Sequence, residues 1–224
     1  MDLSPIFISL KTAAMAMLIV FAAGVLLAWL IYRSRCAALK IFVDGVFTLP
    51  LVLPPTVTGF FLLVIFGSNR PIGSFLKNGF DIQITFTWLA TVLAASVIAF
   101  PLMYRSARAA MEQVDVELLQ AGRTLGMSEF AILRKILLPN ALPGLVSGGV
   151  LAYARALGEF GATAMIAGNI AGVTRTLPLA VYSSAAGDDM DSAAVYVAVS
   201  VCICLIMVIL MNWYLYFNKK RQEG

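Results

Sequence analysis

An otherwise apolar chain is interrupted by the polar stretch Glu117-Leu-Leu-Gln120-Ala-Gly-Arg-Thr-Leu-Gly126-Met-Ser-Glu-Phe-Ala-Ile-Leu-Arg-Lys-Ile136-Leu-Leu-Pro139. Apolar runs long enough to cross a bilayer lie on both sides of it, so the stretch is expected to connect two membrane spans. It contains two short helical patterns, which are separated at Gly126 and stopped at Pro139. We interpret it as a shaped helix pair that another protein can contact.

Composition places the whole chain in a membrane. Hydrophobic residues make up 61% and charged residues only 12% of the chain, and the mean hydropathy is +0.91. In soluble domains about a quarter of all residues are charged. A chain of 224 residues has room for five or six helices of about 20 apolar residues and for little else. We therefore predict one all-α transmembrane domain over residues 1–224.

Apolar runs predict five membrane spans. Their approximate ranges are 10–32, 41–66, 84–104, 142–167 and 193–217. The second run contains Pro50, Pro54 and Pro55, which a spanning helix tolerates only where neighbours or water satisfy the freed carbonyl groups. The first run ends in basic residues, the reverse of a cleavable signal peptide, and is expected to remain as a helix. Five spans place the two termini on opposite sides.

Basic residues predict the orientation, because lysine and arginine in short loops remain on the cytoplasmic side. One side carries eleven of them, namely Arg33, Arg35, Lys40, Arg105, Arg108, Arg123, Arg134, Lys135, Lys219, Lys220 and Arg221. The other side carries four, namely Lys11, Arg70, Lys77 and Arg175. The amino terminus is therefore predicted to be outside, and the carboxyl terminus and the polar stretch to be cytoplasmic.

Several classes of chemistry are disfavoured by what the chain contains. It has no histidine, and its three cysteines fit packing roles, which argues against a zinc site and excludes a histidine-dependent nucleophile triad. No Gly-x-x-x-x-Gly-Lys-Ser/Thr loop occurs, so the chain lacks the usual phosphate cradle of an ATPase. We expect no metal site, no catalytic residue, no bound cofactor and no nucleic-acid partner. If ATP drives the protein, a partner supplies the ATP and magnesium site.

The polar stretch also has identifiable helix ends. Asp115 is a plausible N-cap for a first helix, and Gly126 suits the left-handed position that ends it. Ser128 is placed to cap a second helix, on which Phe130, Leu133 and Leu137 form an apolar stripe. These features alone fit a partner-docking segment and a helix pair resting on anionic lipid equally well.

A motif separates these two interpretations. Within the segment 115–140, the stretch Gln120-Ala-Gly, three residues, Gly126, nine residues, Ile136, one residue, Leu138-Pro139 resembles the cytoplasmic motif of ABC importer permeases, Glu-Ala-Ala-x3-Gly-x9-Ile-x-Leu-Pro, in its full spacing. That resemblance implies a type I ABC importer permease fold, in which this coupling segment fits a cleft of a partner ATPase. We therefore expect the ATPase contact to be made by the motif residues and by the preceding Glu117. These residues are Glu117, Gln120, Ala121, Gly126, Ile136, Leu138 and Pro139. Gln120 and Gly122 depart from the usual Glu and Ala, and Glu117 lies one turn earlier, where it could supply the charged contact.

Flanking sequence resembles molybdate permeases in particular. The similar blocks are 49–59, 66–73 and 154–162, and the likeness covers most of residues 40 to 180. Sulfate and thiosulfate permeases share the Arg-Ala-x-Gly-Glu pattern at Arg155, so the oxyanion is assigned by the earlier blocks. The resemblance implies a homodimer in the bacterial inner membrane, with two ATPase subunits, an external binding protein and surrounding lipid.

Two groups inside the spans are candidates for the translocation path or its gate. Arg155 and Glu159 lie four residues apart on one helix face, so we expect them to form an ion pair that lowers the cost of both charges in the membrane. Thr56 and Thr58, beside Pro54 and Pro55, offer neutral hydroxyl groups. Such groups suit weak passage of an anion, although they could equally repair a proline-disturbed backbone.

The sequence therefore predicts the permease subunit of an ATP-driven molybdate importer that works by alternating access. Sulfate, thiosulfate or tungstate could replace molybdate as the substrate. From another class of protein, a passive channel or a structural membrane component stays open.

Overall fold

The computed structural model describes residues 2–34 and 36–223, with side chains through residue 216. Arg35 and the side chains of Lys219, Lys220 and Arg221, which were used for the orientation, lie outside the described residues. All regular structure in the described part is helical. The helices are α1 Ser4–Arg33, α2 Ala37–Val52, α3 Pro55–Phe66, α4 Pro71–Phe80, α5 Trp88–Glu112, α6 Val116–Thr124, α7 Glu129–Ile132, α8 Leu138–Leu157, α9 Gly161–Ile166, α10 Leu177–Ala186 and α11 Met190–Glu223.

Within residues 2–34 and 36–223, four helical segments are long and apolar enough to span a membrane, and α2 with α3 forms a fifth if the bent pair counts as one span. The predicted count of five is consistent with this range. Several bounds differ from the prediction. Helix α1 begins at Ser4 rather than near residue 10, and α5 extends to Glu112 beyond the predicted end at 104. The basic residues that end the apolar run in α5 still favour helix, so hydropathy alone places its end too early.

The predicted second span is broken. Helices α2 and α3 meet at an angle of 111° instead of forming one helix over 41–66. The two residues between these helices are extended, with ψ angles of 143° at Leu53 and 134° at Pro54. A proline disfavours the helical conformation in the residue before it, and two successive prolines favour extended backbone at both Leu53 and Pro54. Pro55 then begins α3, where its missing N–H costs nothing.

The predicted helix stop at Pro139 is wrong. Helix continues from Glu129 to Leu157 through a π turn at Leu133–Leu137. In that turn the N–H of Leu138 bonds to the carbonyl of Leu133, five residues earlier. The wider turn leaves room for the ring of Pro139 beside the preceding backbone. The predicted span 142–167 is also divided, because this helix ends at Leu157, before Gly158, and α9 is a separate short helix.

Small residues form the centre of the fold. Helices α1, α5 and α8 share a core rich in alanine, which includes Ala16, Ala99 and Ala152. A Cβ atom at Gly148 would lie 2.3 Å from the Cβ of Ser106, so α8 approaches α5 more closely than a larger residue would permit. Such close approach is the usual basis of helix packing in membranes. Helix α11 lies at the edge of the fold, where only 6% of its most apolar stretch is buried.

Candidate functional site

The predicted ends of the first surface helix are confirmed. Asp115 accepts a hydrogen bond from the N–H of Glu117 at 2.8 Å and so caps α6. Gly126 has φ of +74°. Its N–H bonds to the carbonyl of Arg123 at 3.0 Å, and the next N–H, of Met127, bonds to the carbonyl of Gly122 at 3.1 Å. This pair of bonds is a Schellman motif, which ends a helix in a fixed direction.

The second surface helix is capped as predicted and joined to the first. The hydroxyl of Ser128 accepts a hydrogen bond from the N–H of Ala131 at 3.2 Å. Arg123 on α6 donates to Glu129 on α7 at 2.9 Å, and Glu129 also lies 4.0 Å from Arg33 at the end of α1. The hydrogen bond that Arg123 donates to Glu129 raises the pKa of Arg123. Together these contacts hold α6, α7 and the end of α1 in one arrangement.

One side of this helix pair packs inward. A Cβ atom at Gly122, where the motif usually has alanine, would lie 2.8 Å from the Cδ1 of Ile136, so an alanine here would require the end of the Ile136 side chain to move. Ile132 and Leu137 are buried beside it. Leu125 and Phe130 are instead 80% and 66% exposed, so the expected stripe of Phe130 with Leu137 is divided between two surfaces. The exposed pair gives the segment an apolar outer face.

The predicted coupling residues lie on or near that outer surface. Ile136 and Leu138 are half-buried in the π turn and at the start of α8. The remaining five are exposed, namely Glu117, Gln120, Ala121, Gly126 and Pro139. Their contact with an ATPase stays a prediction.

The expected pairing of Arg155 with Glu159 is confirmed. Nη1 of Arg155 donates to Oε2 of Glu159 at 2.8 Å. The other carboxylate oxygen, Oε1, accepts a hydrogen bond from the N–H of Ala162 at 2.8 Å. Glu159 is buried, and both its oxygens are satisfied. It therefore joins the last turn of α8 to the first turn of α9 across the break at Gly158.

The structure brings the two predicted groups of path residues together. A Cβ atom at Gly161 would lie 3.1 Å from both the Cβ of Pro55 and the backbone nitrogen of Thr56. A Cβ atom at Gly59 would lie 2.7 Å from the Cα of Ala162. Helix α3, which follows the proline break, thus packs directly on α9, which follows Glu159. These two short helices, each of which follows a break in the chain, form one structural unit, the α3–α9 unit.

Hydroxyl groups in this unit differ in exposure. Thr56 and Pro54 are exposed, whereas Thr58 is 6% exposed. The hydroxyl of Thr58 has no hydrogen-bond partner within the described part of the chain. Because burying an unpaired hydroxyl is unfavourable, this group is available to a ligand, a water molecule or a rearranged neighbour.

A polar cluster between α2 and α5 is absent from the sequence-based predictions. Tyr104 donates to Asp44 at 2.5 Å, and Arg108 contacts both Asp44 and Glu112, the latter at 2.8 Å. A cavity of about 410 Å³ lies beside this cluster. The sequence does carry one signal, because Asp44 is an ionisable residue inside a predicted span.

Broken apolar helices together with a capped surface helix pair are the arrangement that the coupling motif predicts for an ABC importer permease. Residues 5–223 match the family described as the binding-protein-dependent transport system inner membrane component. The chain belongs to this family.

Individual relatives refine this assignment. The chain is 42% identical over 219 residues to the "Molybdenum transport system permease protein ModB" of Escherichia coli strain K12, covering 98% of this chain and 95% of that protein. It is 33% identical over 189 residues to the "Sulfate transport system permease protein CysT" of Salmonella typhimurium, covering 84% of this chain and 68% of that protein.

Solved structures agree in fold. An inward facing conformation of the MetNI methionine ABC transporter matches with a TM-score of 0.74 and 19% identity, covering 95% of this chain and 93% of that chain. At that identity the match supports the fold alone.

Proposed function

We propose that this chain is the membrane-spanning permease subunit of an ATP-driven importer for molybdate, which works by alternating access. The observation that carries the proposal is the 42% identity to a molybdenum permease over 98% of the chain. The capped helix pair at Asp115–Pro139 supports it, because it offers a rigid exposed surface to a driving partner.

The helical connections suggest how that partner acts. The helix from Glu129 to Leu157 is continuous, so its cytoplasmic end at Glu129 and its membrane-embedded end at Leu157 move together. The membrane-embedded end carries Arg155, and Glu159 follows in the break between α8 and α9. A displacement of α6 and α7 by an ATPase would therefore move the α3–α9 unit at the other end. Such a partner shifts the conformation only by binding the segment differently in its two nucleotide states.

Membership of this family supports the assembly that we propose. The chain forms a homodimer, pairs with two cytoplasmic ATPase subunits that hold ATP and magnesium, and receives the anion from an external binding protein. Its amino terminus lies outside the inner membrane and its carboxyl terminus inside. The chain itself catalyses no reaction.

Sulfate is the second candidate substrate, favoured by the 33% identity to CysT. Both anions are tetrahedral and doubly charged, so their separation by a permease is a matter of degree. Tungstate shares the same shape and is the closest chemical competitor.

Uptake of labelled molybdate tests the proposal, in cells with and without this chain and with excess unlabelled sulfate or tungstate. We expect uptake that needs the chain and resists sulfate. Loss of the signal to sulfate would assign a sulfate permease, and uptake that is independent of the chain would refute the import function.

A further inference from the structure

A second cavity lies at the opposite end of α5 from the coupling segment. Its volume is about 470 Å³, and it is formed where α3 ends, α4 begins and the chain approaches α5. Its polar lining consists of one arginine, two hydroxyl side chains and two amide side chains, namely Arg70, Ser68, Thr85, Asn69 and Gln83. In the proposed orientation this is the outer side.

The charge of this cavity has a single sign. Arg70 is its one charged lining residue, and no carboxylate lines it within the described part of the chain. Arg70 forms no ion pair with any described residue. Asp81 lies at the far end of α4 and does not line the cavity. A cleft lined by one sign of charge concentrates ions of the opposite sign.

Close backbone contacts fix the walls. A Cβ atom at Gly73 would lie 2.1 Å from the carbonyl oxygen of Gly67, so the start of α4 rests directly on the turn after α3. The hydroxyls of Ser68 and Thr85 lie 3.3 Å apart and connect this turn to the irregular segment that precedes α5. Gln83 donates to the carbonyl of Thr85 at 3.3 Å. Three of the five polar side chains, those of Ser68, Thr85 and Gln83, therefore have defined positions before any ligand arrives, whereas Asn69 and Arg70 are exposed at the mouth of the cavity.

This wall is also linked to the candidate path. The N–H of Phe86 donates to the carbonyl of Ile166, the last residue of α9, at 3.1 Å. Phe86 has φ of +62°, a conformation that a bulky residue adopts rarely and only where its surroundings hold it. Movement of the α3–α9 unit would therefore change this cavity.

We propose that the cavity binds a tetrahedral oxyanion, with Arg70 as its charged contact and the Ser68 and Thr85 hydroxyls and the Asn69 and Gln83 amides as neutral contacts. One cation with several neutral donors gives weak binding, which suits a station that must release its anion. The delivery of molybdate to this site rests on the proposed function. The same chemistry also fits the phosphate of a lipid headgroup, because α4, which begins next to the cavity, exposes the apolar residues Ile72, Phe75 and Phe80 along its length.

Calorimetric titration of molybdate tests the site in the intact transporter complex, without ATP and without binding protein. The complex is placed in nanodiscs of phosphatidylcholine alone and in nanodiscs that also contain phosphatidylglycerol. We expect saturable binding in the neutral discs, weakened about tenfold or more by Arg70→Gln. Arg70→Lys is expected to retain part of it. Lys77→Gln removes an exposed charge from the same helix and is the matched control.

The outcomes separate the possible ligands. Weaker molybdate binding in the phosphatidylglycerol discs, dependent on Arg70, assigns the site to lipid phosphate as well. Equal binding in both discs assigns it to the free anion. No saturable binding in neutral discs, or equal binding by Arg70→Gln and the unaltered complex, overturns the site. Chain-dependent uptake without such binding would leave the proposed function intact, and Arg70-dependent binding of sulfate without molybdate uptake would retain the site while changing the substrate.

Discussion

Arg155 and Glu159 form an ion pair of 2.8 Å, and the same carboxylate caps α9 through Ala162. The side chain of Glu159 is 1% exposed, whereas that of Arg155 is 29% exposed. The buried partner is thus the carboxylate, which is satisfied from both sides of the helix break. Its role is to hold α8 and α9 together, and both charges are neutralised before any substrate arrives.

Glu159→Ala should destabilise the protein by about 1.5–3 kcal/mol, because it removes the charged acceptor of the hydrogen bonds from Arg155 and from the N–H of Ala162. Glu159→Gln should cost less, since an amide retains an oxygen that can accept from Ala162. Thermal unfolding of the purified protein measures the difference. Glu129→Ala, which breaks a more exposed pair with Arg123, is the control and should cost about 1 kcal/mol or less. Equal losses at Glu159 and Glu129 would contradict a structural role for the buried pair.

Gly59→Ala should disrupt the α3–α9 contact. The added Cβ would lie 2.7 Å from the Cα of Ala162, and backbone cannot move aside as a flexible side chain can. We expect a loss of about 1–3 kcal/mol in stability, as for other overpacked sites, together with reduced uptake. Gly45→Ala is the matched control, because nothing lies within 4 Å of its added Cβ. A Gly59→Ala protein with unchanged stability and uptake would show that the close contact is dispensable.

The surface segment was the most predictable part of the molecule. Asp115, Gly126 and Ser128 act locally, since a cap or a left-handed turn depends only on residues a few positions away. Such short-range chemistry is readable from sequence. The pairing of Arg155 with Glu159 was predictable for the same reason, because the two lie one turn apart.

Features that depend on tertiary packing were missed or wrong. Pro54 and Pro139 carry similar sequence signals, yet the chain bends by 111° after α2 and continues as helix through Pro139. The difference lies in the π turn at Leu133–Leu137, which no sequence pattern predicts. The contact of Gly59 with Ala162 joins residues about a hundred positions apart, and no local pattern encodes it. Asp44 was likewise overlooked because its partners belong to another helix.

A double-mutant cycle on Asp44 and Arg108 should reveal coupling of about 0.5–3 kcal/mol between α2 and α5. Helix α2 has no fully buried residue, so it depends on this polar contact and on Phe47, whose ring packs on Tyr104 at 5.1 Å. The variants Asp44→Asn and Arg108→Gln, alone and together, are compared by thermal unfolding. The pair Arg123 and Glu129, treated in the same way, provides an exposed reference. Additive effects at Asp44 and Arg108 would show that the ion pair does not hold α2.

Gly126→Ala tests the coupling assignment with a control that carries the same strain. Gly126 and Gly172 both have φ of +74°, and nothing lies within 4 Å of an added Cβ at either position. Alanine in this conformation costs about 1–2 kcal/mol in both cases. Only Gly126 directs the end of α6 toward α7, so Gly126→Ala should lower the initial rate of molybdate uptake several-fold while Gly172→Ala stays near the unaltered rate.

Gly126→Pro extends this comparison, because proline fixes φ near −65° and removes the N–H that bonds to Arg123. We expect it to abolish uptake while the amount of protein in the membrane is unchanged, as measured by immunoblotting of isolated membranes. Equal loss in the Gly126→Ala and Gly172→Ala proteins would attribute the effect to folding. Normal transport by Gly126→Pro would refute the coupling role, because the α6–α7 geometry could not then be what transmits the energy of ATP hydrolysis.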